Sequence, residues 1–83
     1  MSDHRSIDEL KRLGANRRAP ESVVRLYRQA FSEYGPRALW STREQEEPSM
    51  AAALAITESL RVEGNRAARE IAEQIEALCR AAL

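Results

Sequence analysis

The feature that most constrains the fold is the helical spacing of apolar residues over 66–82. With successive residues placed 100° apart, seven apolar side chains share an arc about 120° wide, and charged residues cover the opposite side. The apolar stripe consists of Ala68, Ile71, Ala72, Ile75, Leu78, Cys79 and Ala82. This pattern predicts an amphipathic helix that buries one narrow face.

A second helix is predicted just before it, at about 48–63. Pro48 suits a first helical turn, where its missing N–H would have no partner. Gly64 is expected to provide the C′ position of this helix, and Asn65 the N-cap of the next one. Because so short a loop favours antiparallel neighbours, the sequence predicts an antiparallel helical hairpin formed by 48–63 and 66–82. The apolar residues of its first helix are Met50, Ala53, Leu54, Ile56, Thr57 and Leu60.

The first half of the chain begins with a short predicted helix. Ser6 as N-cap and Glu9 three residues later fit a capping box. Ile7, Leu10 and Leu13 then form a short apolar stripe. Gly14 is interpreted as the C′ residue that ends this helix.

A longer helix is predicted from Pro20 to Tyr34, with Gly35 as its stop. Its apolar face is wide, and polar residues occupy the other side. A third helix is predicted to begin at Pro36, and its extent after Trp40 stays open. The wide face comprises Val23, Val24, Leu26, Tyr27, Ala30, Phe31 and Tyr34.

Together these patterns predict an all-α fold, a small bundle of four to five helices in one domain over 1–83, with 1–5 disordered. A single cysteine excludes an internal disulfide, and one cysteine with one histidine is too few for a zinc site. No apolar run approaches the ~20 residues that span a bilayer, so no membrane partner is expected. The start of the chain lacks the apolar middle of a signal peptide. A cytoplasmic protein is expected, and twelve arginines against one lysine suggest a GC-rich bacterial genome.

The zero net charge conceals a separation of charge along the chain. Residues 1–43 carry nine basic and five acidic side chains, whereas residues 44–83 carry four basic and eight acidic ones. The halves therefore have charges of +4 and −4. One interpretation is that they attract each other, within the fold or between copies. The other is that the basic half binds a polyanion.

Site chemistry is not evident in the sequence. Cys79 falls on an apolar stripe, where cysteine behaves as a small hydrophobe. Glu44, Glu46 and Glu47 are interpreted as a solvated acidic segment. The three glycines stand apart from one another, so no phosphate-binding loop is predicted. We therefore expect no enzyme, no cofactor, no metal and no small-molecule substrate.

The sequence fits a non-enzymatic helical protein–protein interaction module better than an enzyme. We expect a small bacterial accessory or regulatory protein, for which a homodimer is one form. The wide apolar faces of the predicted helices contain more apolar surface than a four-helix domain easily buries. Trp40 is either a binding hot spot or a cap on the protein's own core. The stripe of 66–82 steps by four and three residues, as a two-helix seam does. That seam faces either 48–63 or a second copy.

The alternative is a nucleic-acid-binding regulator or antitoxin-like protein that uses the basic 11–28 segment. Residues 20–47 have the order of a helix-turn-helix, but the acidic end at Glu44–Glu47 would oppose phosphates. The zero net charge is also unusual for such domains. The arginine- and alanine-rich style resembles many bacterial accessory proteins and antitoxin-like partners in composition alone. Across both hypotheses the candidate interaction residues are Arg17, Arg18, Arg25, Arg28, Arg37 and Trp40.

Overall fold

The computed structural model describes residues 4–63 and 65–83, and it is all-helical over these ranges. The only β pairing in the described part of the chain is one isolated antiparallel bridge between Arg18 and Ser49. The all-α prediction is confirmed, and the helices are compatible with a small bundle. Gly64, with its predicted C′ role, lies outside the described residues. The helices are α1 (Ile7–Gly14), α2 (Glu21–Ala38), α3 (Met50–Glu63) and α4 (Arg66–Ala82).

Helix α1 begins as the sequence predicts, because the Ser6 hydroxyl accepts a hydrogen bond from the Glu9 N–H at 3.1 Å. The prediction for Gly14 is wrong. Gly14 is the last residue of the helix, and Ala15 after it keeps a right-handed helical backbone. A Cβ at Gly14 would lie 2.8 Å from the Cβ of Met50 and 3.2 Å from the backbone nitrogen of Ala51. Glycine is therefore needed here for close approach of α1 to α3.

Helix α2 runs through Gly35 and Pro36 to Ala38, so the predicted stop at Gly35 and the separate third helix from Pro36 are both wrong. Pro36 lies in the last turn, where its missing N–H removes only the bond to the Ser32 carbonyl. Ser32 lies on the exposed side, where water can replace that bond. The N–H of Leu39 then closes the helix by donating to the carbonyls of Tyr34 and Gly35, each at 3.2 Å.

Helix α3 lies at the centre of the fold and contacts each of the other three helices. All six residues of its predicted apolar face are buried. The hydroxyl of Thr57, the one polar side chain among them, donates to the Leu54 carbonyl at 2.6 Å, so its burial leaves no unpaired donor. On α4, the buried residues are Ala68, Ile71, Ala72, Ile75 and Cys79. Five of the seven stripe residues thus face the protein's own core, whereas Leu78 is half-buried and Ala82 is exposed.

Helices α3 and α4 are joined by a short connection. Their observed bounds lie within two residues of the predicted ones. Asn65 is the N-cap of α4, as predicted, because its side-chain oxygen accepts from the Ala67 N–H at 2.8 Å. The same oxygen accepts from the Tyr34 hydroxyl at 3.3 Å, which ties α2 to this connection. The antiparallel arrangement of the two helices stays a prediction.

At the other end of α4, Arg5 and Arg80 exchange hydrogen bonds. The Arg5 guanidinium donates to the Arg80 carbonyl at 2.8 Å, and the Arg80 guanidinium donates to the Arg5 carbonyl at 2.6 Å. Of the 1–5 segment expected to be disordered, residues 1–3 lie outside the described ones. None of the described helices is both long and apolar enough to cross a membrane.

Candidate functional site

Residues 39–49 connect α2 to α3 in a non-helical conformation, and we refer to them as the connecting segment. Its far end pairs with the loop before α2. The Ala19 N–H donates to the Pro48 carbonyl at 3.0 Å, and the Met50 N–H donates to the Arg17 carbonyl at 2.9 Å. Its near end is fixed by Leu39, which is 1% exposed. The segment is therefore anchored at both ends.

Arg28 anchors the middle of the connecting segment. Its guanidinium donates to the Glu44 carboxylate at 2.8 Å and to the carbonyls of Gln45 and Glu46. It also lies 5.5 Å from the ring centroid of Tyr27, within cation–π range. The Tyr27 hydroxyl in turn accepts from the Gln45 N–H at 2.8 Å. Arg28 is thus committed to holding backbone and carboxylate groups of its own chain.

Charge attraction between the two halves of the chain is built into the fold. Among the residues that the structure describes, four ion pairs join a basic residue of 1–43 to an acidic residue of 44–83. This supports the first of the two interpretations of the charge separation, in its intramolecular form. Each exposed pair of this kind contributes only about 0.2–1 kcal/mol. The pairs are Lys11–Glu58 at 2.9 Å, Arg18–Glu47 at 3.4 Å, Arg28–Glu44 at 2.8 Å, and Arg37–Glu63.

The structure therefore does not bring the candidate arginines together as one unpaired basic patch. Arg18, Arg28 and Arg37 have the acidic partners named above, and Arg25 pairs with Glu21 at 2.9 Å, as its spacing predicts. Within residues 4–63 and 65–83, the exposed side chain of Arg17 has no ion-pair partner. Nucleic-acid binding would have to compete with these internal pairs, and no feature of the described structure favours it.

Trp40, the remaining candidate residue, is 79% exposed. The interpretation that it caps the protein's own core is wrong, because its neighbour Leu39 turns inward instead. A second large apolar side chain, Val62 on α3, is 86% exposed, and the sequence interpretation did not single it out. The sign that could have revealed it is its position between Arg61 and Glu63, outside the apolar face of α3.

Trp40 and Val62 line the same open groove, which has a volume of about 500 Å³. We call it the Trp40–Val62 groove. One wall comes from the end of α2 and the start of the connecting segment, and the other wall comes from α3. The first wall consists of Arg37, Ala38, Trp40 and Ser41, and the second of Glu58, Ser59, Val62 and Glu63.

The groove combines exposed apolar side chains with charged side chains at its edges. The charged groups Arg37 and Glu63 pair with each other, and Glu58 pairs with Lys11. Glu44 does not line the groove, and its carboxylate pairs with Arg28. Among the described residues, no three histidine, cysteine, aspartate or glutamate side chains form a group able to hold a metal ion.

Cys79, the only thiol, lies in the core and away from the groove. Burial raises the pKa of this thiol from 9.0 to about 11, and the negative charge of Glu76 adds to the effect. The thiol therefore stays protonated near neutral pH, and in that form it is a poor nucleophile.

Comparisons with protein-family models, with curated proteins and with solved structures give no match to this chain.

Proposed function

We propose that this chain is a non-enzymatic helical protein–protein interaction module, a small accessory or regulatory protein of the bacterial cytoplasm. The Trp40–Val62 groove is its contact surface. The observation that carries the proposal is the exposure of two large apolar side chains, at 79% and 86%, on one groove. Single exposed apolar residues are ordinary, but two that share a groove are a candidate binding surface.

The layout of the groove supports this proposal. Protein interfaces have an apolar centre surrounded by a polar, solvent-accessible rim. Trp40 and Val62 would provide such a centre, and Arg37, Glu58 and Glu63 such a rim. Tryptophan is also enriched among the residues that contribute most to binding free energy. The groove thus has the composition expected of a small interface.

The rest of the molecule would act as a rigid support. In this proposal α3 and α4 form the antiparallel hairpin that the sequence predicts. The short connection from Glu63 to Arg66 supports it. On the other wall, the bonds made by Arg28 to the connecting segment hold the chain that follows Trp40. Rigid walls lower the entropy cost of binding.

A retention experiment tests the proposal. The immobilised protein is offered lysate from the cells that produce it, together with a differently tagged second copy of the chain. We expect at least one protein to be retained, and the double variant Trp40→Ser with Val62→Ser to lose it. Leu13→Ser is the matched control, because Leu13 is 46% exposed but does not line the groove.

Two outcomes would contradict the proposal. One is that nothing is retained, neither a lysate protein nor the second copy. The other is that the groove variant retains every partner as well as the wild type does. Far-UV circular dichroism of each variant ensures that a lost partner reflects a lost surface and not a lost fold.

A further inference from the structure

We propose that residues 43–47, which we call the strap, open and close as a local unit while the helices stay folded, and that the guanidinium of Arg28 holds the strap closed. The strap belongs to the connecting segment but lies outside the Trp40–Val62 groove, whose α2 wall ends at Ser41. Opening of the strap is therefore separate from binding in the groove, and either one can hold without the other.

The strap contributes little to the core. All five of its residues are exposed, whereas Leu39 and Pro48 on either side of it are buried. The ion pair of Glu47 with Arg18, at 3.4 Å, is exposed and adds little stability. Segments with few buried apolar contacts open locally at a lower free energy than the whole fold. The strap meets this condition, because its opening gives up almost no buried apolar surface.

Both ends of the strap are fixed by bonds that do not involve Arg28. On one side, the Thr42 N–H donates to the carbonyl of the buried Leu39 at 3.0 Å. On the other side, the Pro48 carbonyl accepts from the Ala19 N–H at 3.0 Å. These bonds can persist while the strap is open. The helices then stay in place, and a loop this short closes again at a small cost in entropy.

The middle of the strap is held from α2. The Arg28 guanidinium donates to the Glu44 carboxylate and to the carbonyls of Gln45 and Glu46, and the Tyr27 hydroxyl accepts from the Gln45 N–H at 2.8 Å. A guanidinium presents several N–H donors in one plane, so one side chain holds all three acceptors. Withdrawal of that side chain therefore frees the strap as a unit. It also uncovers the hydroxyl of Tyr27, a residue that is 1% exposed in the closed form.

Amide hydrogen exchange of the unmodified protein, measured by NMR, tests the proposal. The Gln45 N–H reports on the strap, and the N–H of the buried Ile75 reports on the core. We expect the Gln45 N–H to be protected, but to exchange at least about tenfold faster than the Ile75 N–H once intrinsic rates are corrected for. In urea below the unfolding transition, exchange at Ile75 should accelerate while exchange at Gln45 stays constant, because local opening exposes little surface.

Two results of this measurement overturn the proposal. Equal protection of the two amides with the same urea dependence means that the strap opens only when the whole fold does. An unprotected Gln45 N–H means that the strap is not held closed.

Variants of Arg28 give a second test. Arg28→Gln should raise exchange at the Gln45 N–H about tenfold or more, while the Ile75 N–H remains protected. Arg28→Lys keeps the charge but replaces the planar fork by one ammonium group, so it should also lose most of this protection. The matched control, Arg25→Gln, breaks an exposed pair with Glu21 on the same helix and should change exchange at Gln45 by less than about twofold.

Wild-type exchange at Gln45 in either Arg28 variant overturns the role of this guanidinium. An Arg25→Gln variant that opens the strap equally overturns it as well. If an Arg28 variant fails to fold, the urea series on the unmodified protein decides the question without it.

Discussion

The close approach of α1 to α3 at Gly14 makes a sharp prediction for the substitution Gly14→Ala. Replacing glycine by alanine inside a helix ordinarily stabilises it by about 0.5–1 kcal/mol. Here the added Cβ would lie 2.8 Å from the Cβ of Met50 and 3.2 Å from the backbone nitrogen of Ala51. Neither atom belongs to a flexible side-chain end. Relief of the overlap therefore requires α1 to move away from α3.

The magnitude follows from these two opposing effects. Overpacking in a well-packed interior costs about 1–3 kcal/mol, and the gain in helix propensity offsets about 0.5–1 kcal/mol of it. We expect Gly14→Ala to lower the free energy of unfolding by about 1–2 kcal/mol. In a domain of this size that lowers Tm by on the order of 5–15 °C.

Gly35 provides the matched control within the same chain. It also lies in a helix, but a Cβ added there would meet nothing within 4 Å outside its chain neighbours and its own helix backbone. Gly35 precedes Pro36, whose ring disfavours the helical conformation in a preceding residue that carries a Cβ, and this offsets the gain in helix propensity. Gly35→Ala should therefore change the free energy of unfolding by less than about 0.5 kcal/mol, whereas Gly14→Ala should lower it by more.

Urea and thermal unfolding, followed by far-UV circular dichroism, measure both changes. Hydrogen exchange adds a local readout, because displacement of α1 should speed exchange within Ile7–Gly14 more than within α4. A Gly14→Ala variant as stable as the wild type, or more stable, would refute the steric reasoning. A Gly35→Ala variant destabilised as much as Gly14→Ala would refute the comparison.

Three further predictions concern the connecting segment, the core and the buried thiol. Arg28→Gln should lower the free energy of unfolding by about 1–3 kcal/mol and speed amide hydrogen exchange in the connecting segment. The control Arg25→Gln loses one exposed ion pair and should lower the free energy of unfolding by no more than about 0.5 kcal/mol. Urea unfolding measures both changes. Ile75→Asp should abolish cooperative thermal unfolding, because it buries an unpaired charge, whereas Ala77→Asp on the exposed side of α4 should not. Burial raises the pKa of Cys79 from 9.0 to about 11, so the unfolded state loses the thiol proton at a lower pH than the folded state does. The free energy of unfolding should therefore fall as the pH rises from 9 to 11. A Cys79→Ala variant with the same pH profile above 9 would contradict the assignment of this fall to Cys79.

The helices of the second half were predictable because their local signals agree with their packing. The α4 stripe and the Asn65 cap both mark the same start, and the apolar face of α3 is buried as a whole. The wide face of α2 was predicted for the same reason. The spacing of apolar residues reflects which side of a helix packs against the core, and this spacing is visible in the sequence of that helix alone.

The wrong helix-end predictions concern glycine and proline residues, which often end helices but here have positions decided by tertiary packing. Gly35 and Pro36 resemble a helix end. However, a proline in the last turn removes only one backbone hydrogen bond, on the exposed side of the helix, and α2 continues to Ala38, after which Leu39 is buried. Gly14 was interpreted through backbone freedom, whereas its role is to leave room for Met50. The approach of two helices cannot be read from either helix alone.

The candidate site was predictable only in part. Opposite charges in the two halves predicted their attraction, but the partner of each arginine depends on the path of the connecting segment. Trp40 was recognised as a residue of interest, and only the position of the α2 end decides that Leu39 is buried while Trp40 is exposed. Val62 carries no periodic signal, and the one sign of its exposure in the sequence is its position between two charged residues, outside the apolar face of α3.

The ion pairs between the halves have a consequence for a chain cut into two fragments. The boundary between Arg43 and Glu44 falls in an exposed stretch of the connecting segment. A cut there would release a peptide of charge +4 that contains α1 and α2, and a peptide of charge −4 that contains α3 and α4. The two pieces share one core and attract each other electrostatically. We therefore expect the two fragments to recognise each other and to reassemble without a continuous backbone.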